Sequence, residues 1–174
     1  RKLDFFDGEI AALIAGRDLV KAAALFDLVS EDKIARIAYA IADTGTAFYT
    51  VLNYDGIAAW LTETPAASEL RDAFNRHQCT DKGFGPAAGP DATKALKKAF
   101  EGRGYTTIVA KSPWILDDGF IELRRETDRG WVGAVVEADG LTVEDGEAWL
   151  DGRADDPDAV TIVGHADLLA LPPA

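Results

Sequence analysis

Residues 18–52, DLVKAAALFDLVSEDKIARIAYAIADTGTAFYTVL, decide the fold of this chain. Residues 18–25 have the apolar composition of a buried strand, although three alanines weaken that pattern. Ser30 then stands at the start of a helix whose apolar residues recur at helical spacing as far as Asp43. Residues 46–52 are β-branched and aromatic, which favours a second strand. This order predicts a βαβ unit with two parallel strands.

The same alternation of strands and helices continues on both sides of this unit. Strand character lies at residues 2–6, 105–110 and 160–171, and helical patterns lie at 7–15, 66–78, 91–101, 118–138 and 142–151. Alternation of this kind makes a mostly parallel sheet that is covered by helices on both faces. We therefore predict an α/β fold, with one domain over residues 1–174 and a helical insertion at about 57–90.

Composition argues against several classes of protein. The 174 residues carry a formal net charge of −12, and Lys94, Lys97 and Lys98 are the one tight basic group, so nucleic acid is a poor candidate partner. The apolar runs are too short to span a bilayer. The single cysteine, Cys79, fits a reducing compartment, and two histidines with one cysteine give no zinc-like spacing. We expect a cytoplasmic protein with neither a membrane nor a nucleic-acid partner, and a homodimer is compatible with the sequence.

Ligands of such sheets bind beyond the carboxyl ends of the strands, which selects the residues that follow each predicted strand. These residues are Asp4, Phe5, Phe26, Asp27, Asn53, Tyr54, Asp55, Ser112 and Trp114. Structural alternatives stay open for several of them, because Asp27 could cap a helix together with Ser30, and residues 53–56, Asn-Tyr-Asp-Gly, have turn chemistry. For His165, within the last predicted strand, we expect a structural role.

Residues 74–90, FNRHQCTDKGFGPAAGP, place polar side chains next to a glycine-rich backbone. We expect His77 and Asp81, four residues apart, to share a face at a helix end, where the carboxylate would orient the imidazole for proton removal. The alternative is a helix-end histidine that the acid and the helix dipole stabilise. Lys82 would bind a carboxylate or phosphate of a substrate, or neutralise neighbouring acids. The glycines follow a helix and not a strand, so we interpret the segment as a lid or substrate wall and not as a phosphate loop.

Six short motifs follow one another in an order that covers nearly the whole chain. They are DLV at 18–20, ALFDLVS at 24–30, YDG at 54–56, NRHQCTDKGFGPAAGP at 75–90, SPW at 112–114 and GHADLLALPP at 164–173. This order resembles the class I S-adenosylmethionine-dependent methyltransferases, and more closely a bacterial branch of them. The resemblance implies a Rossmann-like three-layer α/β/α sheet, S-adenosyl-L-methionine as cofactor and methyl transfer to a small-molecule acceptor.

The same resemblance implies roles for individual residues. It places Asp4 beside the adenine and the turn at 22–27 beside the methionine end of the cofactor. The implied cofactor-binding residues are Asp4, Phe5, Ala24, Phe26 and Asp27, the substrate-binding residues are Asn53, Tyr54 and Lys82, and the catalytic pair is His77 with Asp81.

One departure concerns the glycine-rich cofactor loop that this family places after its first strand, because nothing here corresponds to it. The chain also contains no methionine. We therefore expect the first strands to precede Arg1, with residues 2–6 as the third strand of the sheet. Two other functions stay open. One is a binding module that keeps a methyltransferase-like scaffold without catalysis, and the other is a nicotinamide-dependent oxidoreductase.

Overall fold

The computed structural model describes residues 10–61, 65–138, 140–154, 156 and 158–174. The chain divides into two compact units. Unit 1 consists of the residues up to Asp55 together with Cys79–Ser112 and His165–Ala174, and unit 2 consists of Gly56–Gln78 and Pro113–Gly164. The single domain and the helical insertion expected from the sequence stay predictions.

The chain is an α/β protein, as the sequence predicts. Its helices are α1 (Ile10–Ile14), α2 (Glu31–Asp43), α3 (Pro65–Gln78), α4 (Ala92–Glu101), α5 (Ile121–Glu137) and α6 (Val143–Ala154). Its strands are β1 (Leu19–Ala23), β2 (Ala47–Trp60), β3 (Thr106–Lys111), β4 (Trp114–Leu116) and β5 (Thr161–Leu171). Within the described ranges, no helix has the length and apolar composition needed to cross a bilayer.

Two local expectations differ from these bounds. β4 was not predicted, because its three residues are too few to show a strand period. Strand β2 continues to Trp60, so Asn53, Tyr54 and Asp55 lie inside it, and the expectation that the strand ends there in a turn is wrong. The turn chemistry of Asp-Gly is a local preference, and strand pairing overrides it here.

The sheet of unit 1 is mixed, with the strand order β1-β2-β5-β3. Strands β1 and β2 are parallel, with Leu19 opposite Ala47 and Ala23 opposite Val51. Strand β3 runs antiparallel to β5, with Ile108 opposite Leu169. The prediction of a mostly parallel sheet is therefore wrong, because side-chain periodicity identifies a strand but carries no information about its direction.

The core of unit 1 joins the sheet to helices α2 and α4. Phe48 on β2 stacks on Phe100 of α4 with ring centroids 5.1 Å apart, and it meets Phe26 edge-on at 5.6 Å. Around these rings lie fully buried aliphatic side chains from both helices and from β5, namely Ile34, Ile41, Leu96 and Leu168. Phe26 follows β1 directly, so this core fixes the position of the turn at the end of β1.

Unit 2 has its own aromatic core. The Trp60 ring at the end of β2 contacts Trp131 of α5 and Trp149 of α6, with centroids 5.3 and 5.2 Å away. Phe74 of α3 lies 5.6 Å from Trp131. Strand β4 pairs antiparallel with the first residues of β5. Three helices and the strand ends are therefore joined around tryptophan rings.

Candidate functional site

The turn after β1 has an unusual backbone. Ala24 has φ of +49°, and its N–H donates to the Val51 carbonyl at 3.1 Å. Leu52, on the neighbouring strand β2, has φ of +57°. Because Ala23 pairs with Val51, both left-handed residues lie at the same level of the parallel ladder. A left-handed backbone costs a residue with a side chain about 1–2 kcal/mol, and such strain is concentrated at functional sites.

Asp167 of β5 holds the strained Leu52 in place. Its Oδ1 accepts a hydrogen bond from the Leu52 N–H at 3.2 Å. The same oxygen accepts from the Ser112 hydroxyl at 2.7 Å. Sequence reasoning missed Leu52 and Asp167, since a leucine gives no signal for a positive φ and Asp167 stands within an ordinary strand pattern.

Asn53 and Tyr54, the predicted substrate-binding residues, are both buried. The Asn53 amide donates from Nδ2 to the Ala166 carbonyl at 3.0 Å, and its Oδ1 accepts from Thr50 Oγ1 at 3.3 Å. The bond to Ala166 joins β2 to β5, and the bond from Thr50 lies within β2, so Asn53 has a structural role. Substrate binding by either residue stays a prediction.

Asp27 lies in a short 3₁₀ helix, Phe26–Leu28, directly after the strained turn. Its Oδ1 is buried and has no hydrogen-bond partner among the described residues. Burial raises the pKa of Asp27, and a hydrogen bond with the residue's own backbone opposes this effect. Ser30 occupies the N-cap position of α2 without a capping bond from its side chain. A buried polar atom without a hydrogen-bond partner costs about 1–3 kcal/mol of folding stability. A ligand that donates a hydrogen bond to Asp27 Oδ1 would offset this cost.

The glycine-rich segment lies against the residues that follow this turn. The Ala88 N–H donates to the Val29 carbonyl at 2.8 Å. A Cβ added at Gly85 would lie 3.4 Å from Ser30 Cβ, so the backbone passes close to the start of α2. The Lys33 ammonium lies 5.4 Å from the centre of the Phe84 ring. The segment therefore packs as a wall beside the Asp27 turn. Its interpretation as a lid or substrate wall stays a prediction.

Asp81 shapes this wall. Its Oδ1 accepts hydrogen bonds from the backbone N–H groups of Gly83 and Gly85, at 2.7 and 3.0 Å. Both glycines have positive φ, +93° and +83°, which a residue with a Cβ adopts only with strain. Asp81 also pairs with Pro86 in an isolated antiparallel bridge.

The expectation that His77 and Asp81 share a helix face is wrong. Helix α3 ends at Gln78, and Asp81 lies beyond it in the turn just described. Asp and Gly favour such side-chain-stabilised turns, and this local preference ends the helix earlier than the four-residue spacing requires. His77 is half-buried on the last turn of α3, with its ring 6.5 Å from that of Phe74. The catalytic role of each residue, and substrate binding by the half-buried Lys82, stay predictions.

The remaining predicted residues divide into two groups. Ala24, Phe26 and Asp27 come together at the turn after β1. Asp4 and Phe5 lie outside the described residues. Across the described ranges, no group of three or more His, Cys, Asp or Glu side chains could hold a metal ion.

Two further features of unit 1 carry titratable groups. His165 is buried, and burial lowers its pKa, although the negative charges of Asp55 and Asp167 act in the opposite direction. An open cleft of about 330 Å³ is lined by three lysines, Lys94, Lys97 and Lys111, and by Asp55. Asp55 forms an ion pair with Lys111, so part of this charge is already neutralised.

No protein-family model matches the chain, and no curated protein sequence matches it. Function is therefore inferred from the geometry above and from the resemblance in sequence motifs.

Proposed function

We propose that this chain is an S-adenosyl-L-methionine-dependent methyltransferase that acts on a small-molecule acceptor. The observation that carries the proposal is the buried, unpartnered Asp27 oxygen after β1, beside the strained backbone at Ala24 and Leu52. Ligands of α/β sheets bind outside the carboxyl ends of the strands, which is where Asp27 lies. The proposal also includes a Rossmann-like three-layer arrangement of helices and sheet. This arrangement goes beyond the mixed α/β sheet described above.

The chemistry of the Asp27 carboxylate fits this cofactor. S-adenosyl-L-methionine carries an ammonium group and a sulfonium. The ammonium group is a positive donor of the kind that Asp27 Oδ1, buried with no hydrogen-bond partner among the described residues, lacks. When bound, the cofactor supplies an electrophilic methyl group. The chain's own residues would bind and orient the cofactor. Asp27 would accept a hydrogen bond from its ammonium group, and the packing of Phe26 in the core would fix Asp27 in place.

The glycine-rich wall would exclude water from the site. Its backbone is held by Asp81, whose Oδ1 is occupied by two N–H groups. We therefore give Asp81 the role of shaping the wall. His77 would act as a base only for an acceptor that arrives protonated, and Asn53, Tyr54 and Lys82 remain the residues proposed for the acceptor. A cytoplasmic location and a homodimer remain part of the proposal.

Calorimetry with S-adenosyl-L-methionine tests the assignment of Asp27. We expect the wild-type protein to bind, and Asp27→Asn to weaken binding at least about ten-fold, since the lost charge interaction corresponds to about 1.4 kcal/mol or more. Asp32→Asn is the matched control, because Asp32 is an exposed acid five residues away in the first turn of α2. Absence of binding by the wild-type protein, or equal losses in both variants, would overturn the proposal.

A non-catalytic binding module is the second candidate, and one observation favours it. Asp81 lies beyond the end of helix α3 and accepts hydrogen bonds within its own turn, so the predicted orientation of His77 by Asp81 on a shared helix face is lost. Methyl-labelled cofactor incubated with a small-molecule extract separates the two functions. Transfer of label to a small molecule, reduced by His77→Gln without loss of cofactor binding, supports the enzyme. Cofactor binding without any transfer supports the module.

A further inference from the structure

Helices α5 and α6 of unit 2 border a cleft that contains a buried cation, Arg124, with no counter-ion among the described residues. Arg124 is only 2% exposed. Among the described residues its Nε, which is buried, has no hydrogen-bond partner, and Nη1 makes a long bond of 3.4 Å to the Arg153 carbonyl. Arg124 forms no ion pair with any residue in the described part of the chain. Arginine cannot lose its proton to escape burial, so its charge has to be balanced.

The carboxylate nearest to Arg124 in sequence on the same face of α5 already has an ion-pair partner. Asp128, one turn further along α5, accepts from Arg153 Nε at 3.1 Å, from Thr161 Oγ1 at 2.9 Å and from Trp60 Nε1 at 3.3 Å. Arg153 also donates to Thr161 Oγ1 at 2.8 Å and lies over the Trp149 ring. Asp128 therefore already has Arg153 as its ion-pair partner, and no other described carboxylate pairs with Arg124.

Arg125 lines the same cleft and is half-buried, and it pairs with the exposed Glu122 at 3.4 Å. Its Nε is buried with no hydrogen-bond partner among the described residues, while its Nη2 donates to the Ala154 carbonyl at 3.0 Å. The cleft has a volume of about 390 Å³, which suits a small molecule. Glu147 and Asp151 of α6 line it too, and neither forms an ion pair with a described residue. Among the four arginines that line the cleft, Arg125, Arg129 and Arg153 each have an acidic partner, whereas Arg124 has none among the described residues.

We propose that this cleft binds a small carboxylate ligand, which accepts hydrogen bonds from Arg124 and Arg125. A planar carboxylate matches the fork of guanidinium donors. Glu147 and Asp151 would repel the second charge of a phosphate dianion, which favours a monocarboxylate. None of the residues that line this cleft has a role in the methyl-transfer proposal, so the two proposals can fail separately.

Thermal unfolding with sodium acetate as the probe tests the proposal, with sodium chloride at equal ionic strength as the reference. Near-saturating acetate should raise the melting temperature of the wild-type protein by about 3 °C or more. Arg124→Met should lose this increase and should melt in chloride at or above the wild-type temperature, since no unpaired buried charge remains. Arg103→Met, which removes an exposed arginine paired with Asp43 in unit 1, should keep the full increase.

Nitrogen–proton NMR of the arginine Nε–H groups provides a readout that does not depend on the folding of a variant. We expect the Arg124 signal, assigned by its absence in Arg124→Lys, to shift with acetate and to saturate. A shift with inorganic phosphate but none with acetate would overturn the carboxylate assignment. No shift with either anion up to about 100 mM, or an equal acetate effect in Arg124→Met, would overturn the site.

Discussion

Asp27 in unit 1, which is half-buried, and Asp128 in unit 2, which is buried, are carboxylates in very different surroundings. Asp128 accepts three hydrogen bonds, one of them from its ion-pair partner Arg153. One oxygen of Asp27 is buried beside a strained turn and has no hydrogen-bond partner in the part of the chain that the structure describes. A satisfied buried charge holds a fold together, whereas an unsatisfied one weakens the fold and is retained where a ligand completes it. The difference gives Asp128 a structural role and supports the binding role proposed for Asp27.

The largest effect should come from removing the satisfied carboxylate. Asp128→Ala should lower the free energy of unfolding by about 3–5 kcal/mol, because it leaves the Arg153 guanidinium buried without a counter-ion. Urea unfolding measures this loss. Glu126→Ala is the control on the same helix, since Glu126 is exposed and its pair with Arg129 is a surface contact; that change should stay within about 0.5 kcal/mol. Equal effects in the two variants would remove the distinction between Asp128 and an ordinary surface acid.

Asp27→Asn should change the free energy of unfolding in the opposite direction and stabilise the protein at neutral pH. Because burial raises the pKa of Asp27 in the folded protein, the folded state holds a proton that the unfolded state releases. The stability from this group is present below the ordinary aspartate pKa and is lost as the pH rises through the raised value. At neutral pH the variant should be more stable than the wild type by about 1–2 kcal/mol. Urea unfolding at about pH 4 and pH 7 measures the difference, and a variant that is less stable at neutral pH would contradict the account.

A pair of glycine substitutions isolates the strain beside Asp27. Ala24→Gly should stabilise the protein by about 1 kcal/mol, since glycine adopts the left-handed conformation without a Cβ clash. Ala23→Gly, one residue earlier in the extended strand β1, should destabilise it by about 0.5–1 kcal/mol. Thermal unfolding of both variants gives the signs. Destabilisation by both changes would show that Ala24 is not strained.

His165 should have the smallest effect. Burial lowers its pKa, so the folded state keeps a neutral imidazole while the unfolded state takes up a proton as the pH falls. Its stability contribution is present above the ordinary histidine pKa and is lost as the pH falls through the lowered one. Asp55 and Asp167 oppose the shift, so we expect a loss below about 1 kcal/mol between pH 7 and pH 5. His165→Asn should flatten this part of the urea-unfolding profile, and a parallel profile would assign the acid sensitivity to other groups.

The sequence predicts the β1-α2-β2 unit well, because the spacing of Ile34, Ile37 and Ile41 reflects one buried helix face. Strand direction and the unpartnered state of Arg124 depend on tertiary neighbours, which no local pattern contains. Leu52 is the extreme case, since its positive φ rests on a bond to Asp167 far along the chain. For Asp27, the signal in the sequence is its position after a strand. The structure adds that its buried Oδ1 has no hydrogen-bond partner among the described residues.

Carbon NMR of the Asp27 carboxyl group, titrated with and without S-adenosyl-L-methionine, tests the binding role most directly. In the free protein the titration midpoint should lie above that of an ordinary aspartate, as burial dictates. A cationic donor stabilises the ionised form, so the midpoint should fall when the cofactor is present. A midpoint that does not move at saturating cofactor would contradict the assignment of Asp27 as the group that holds it.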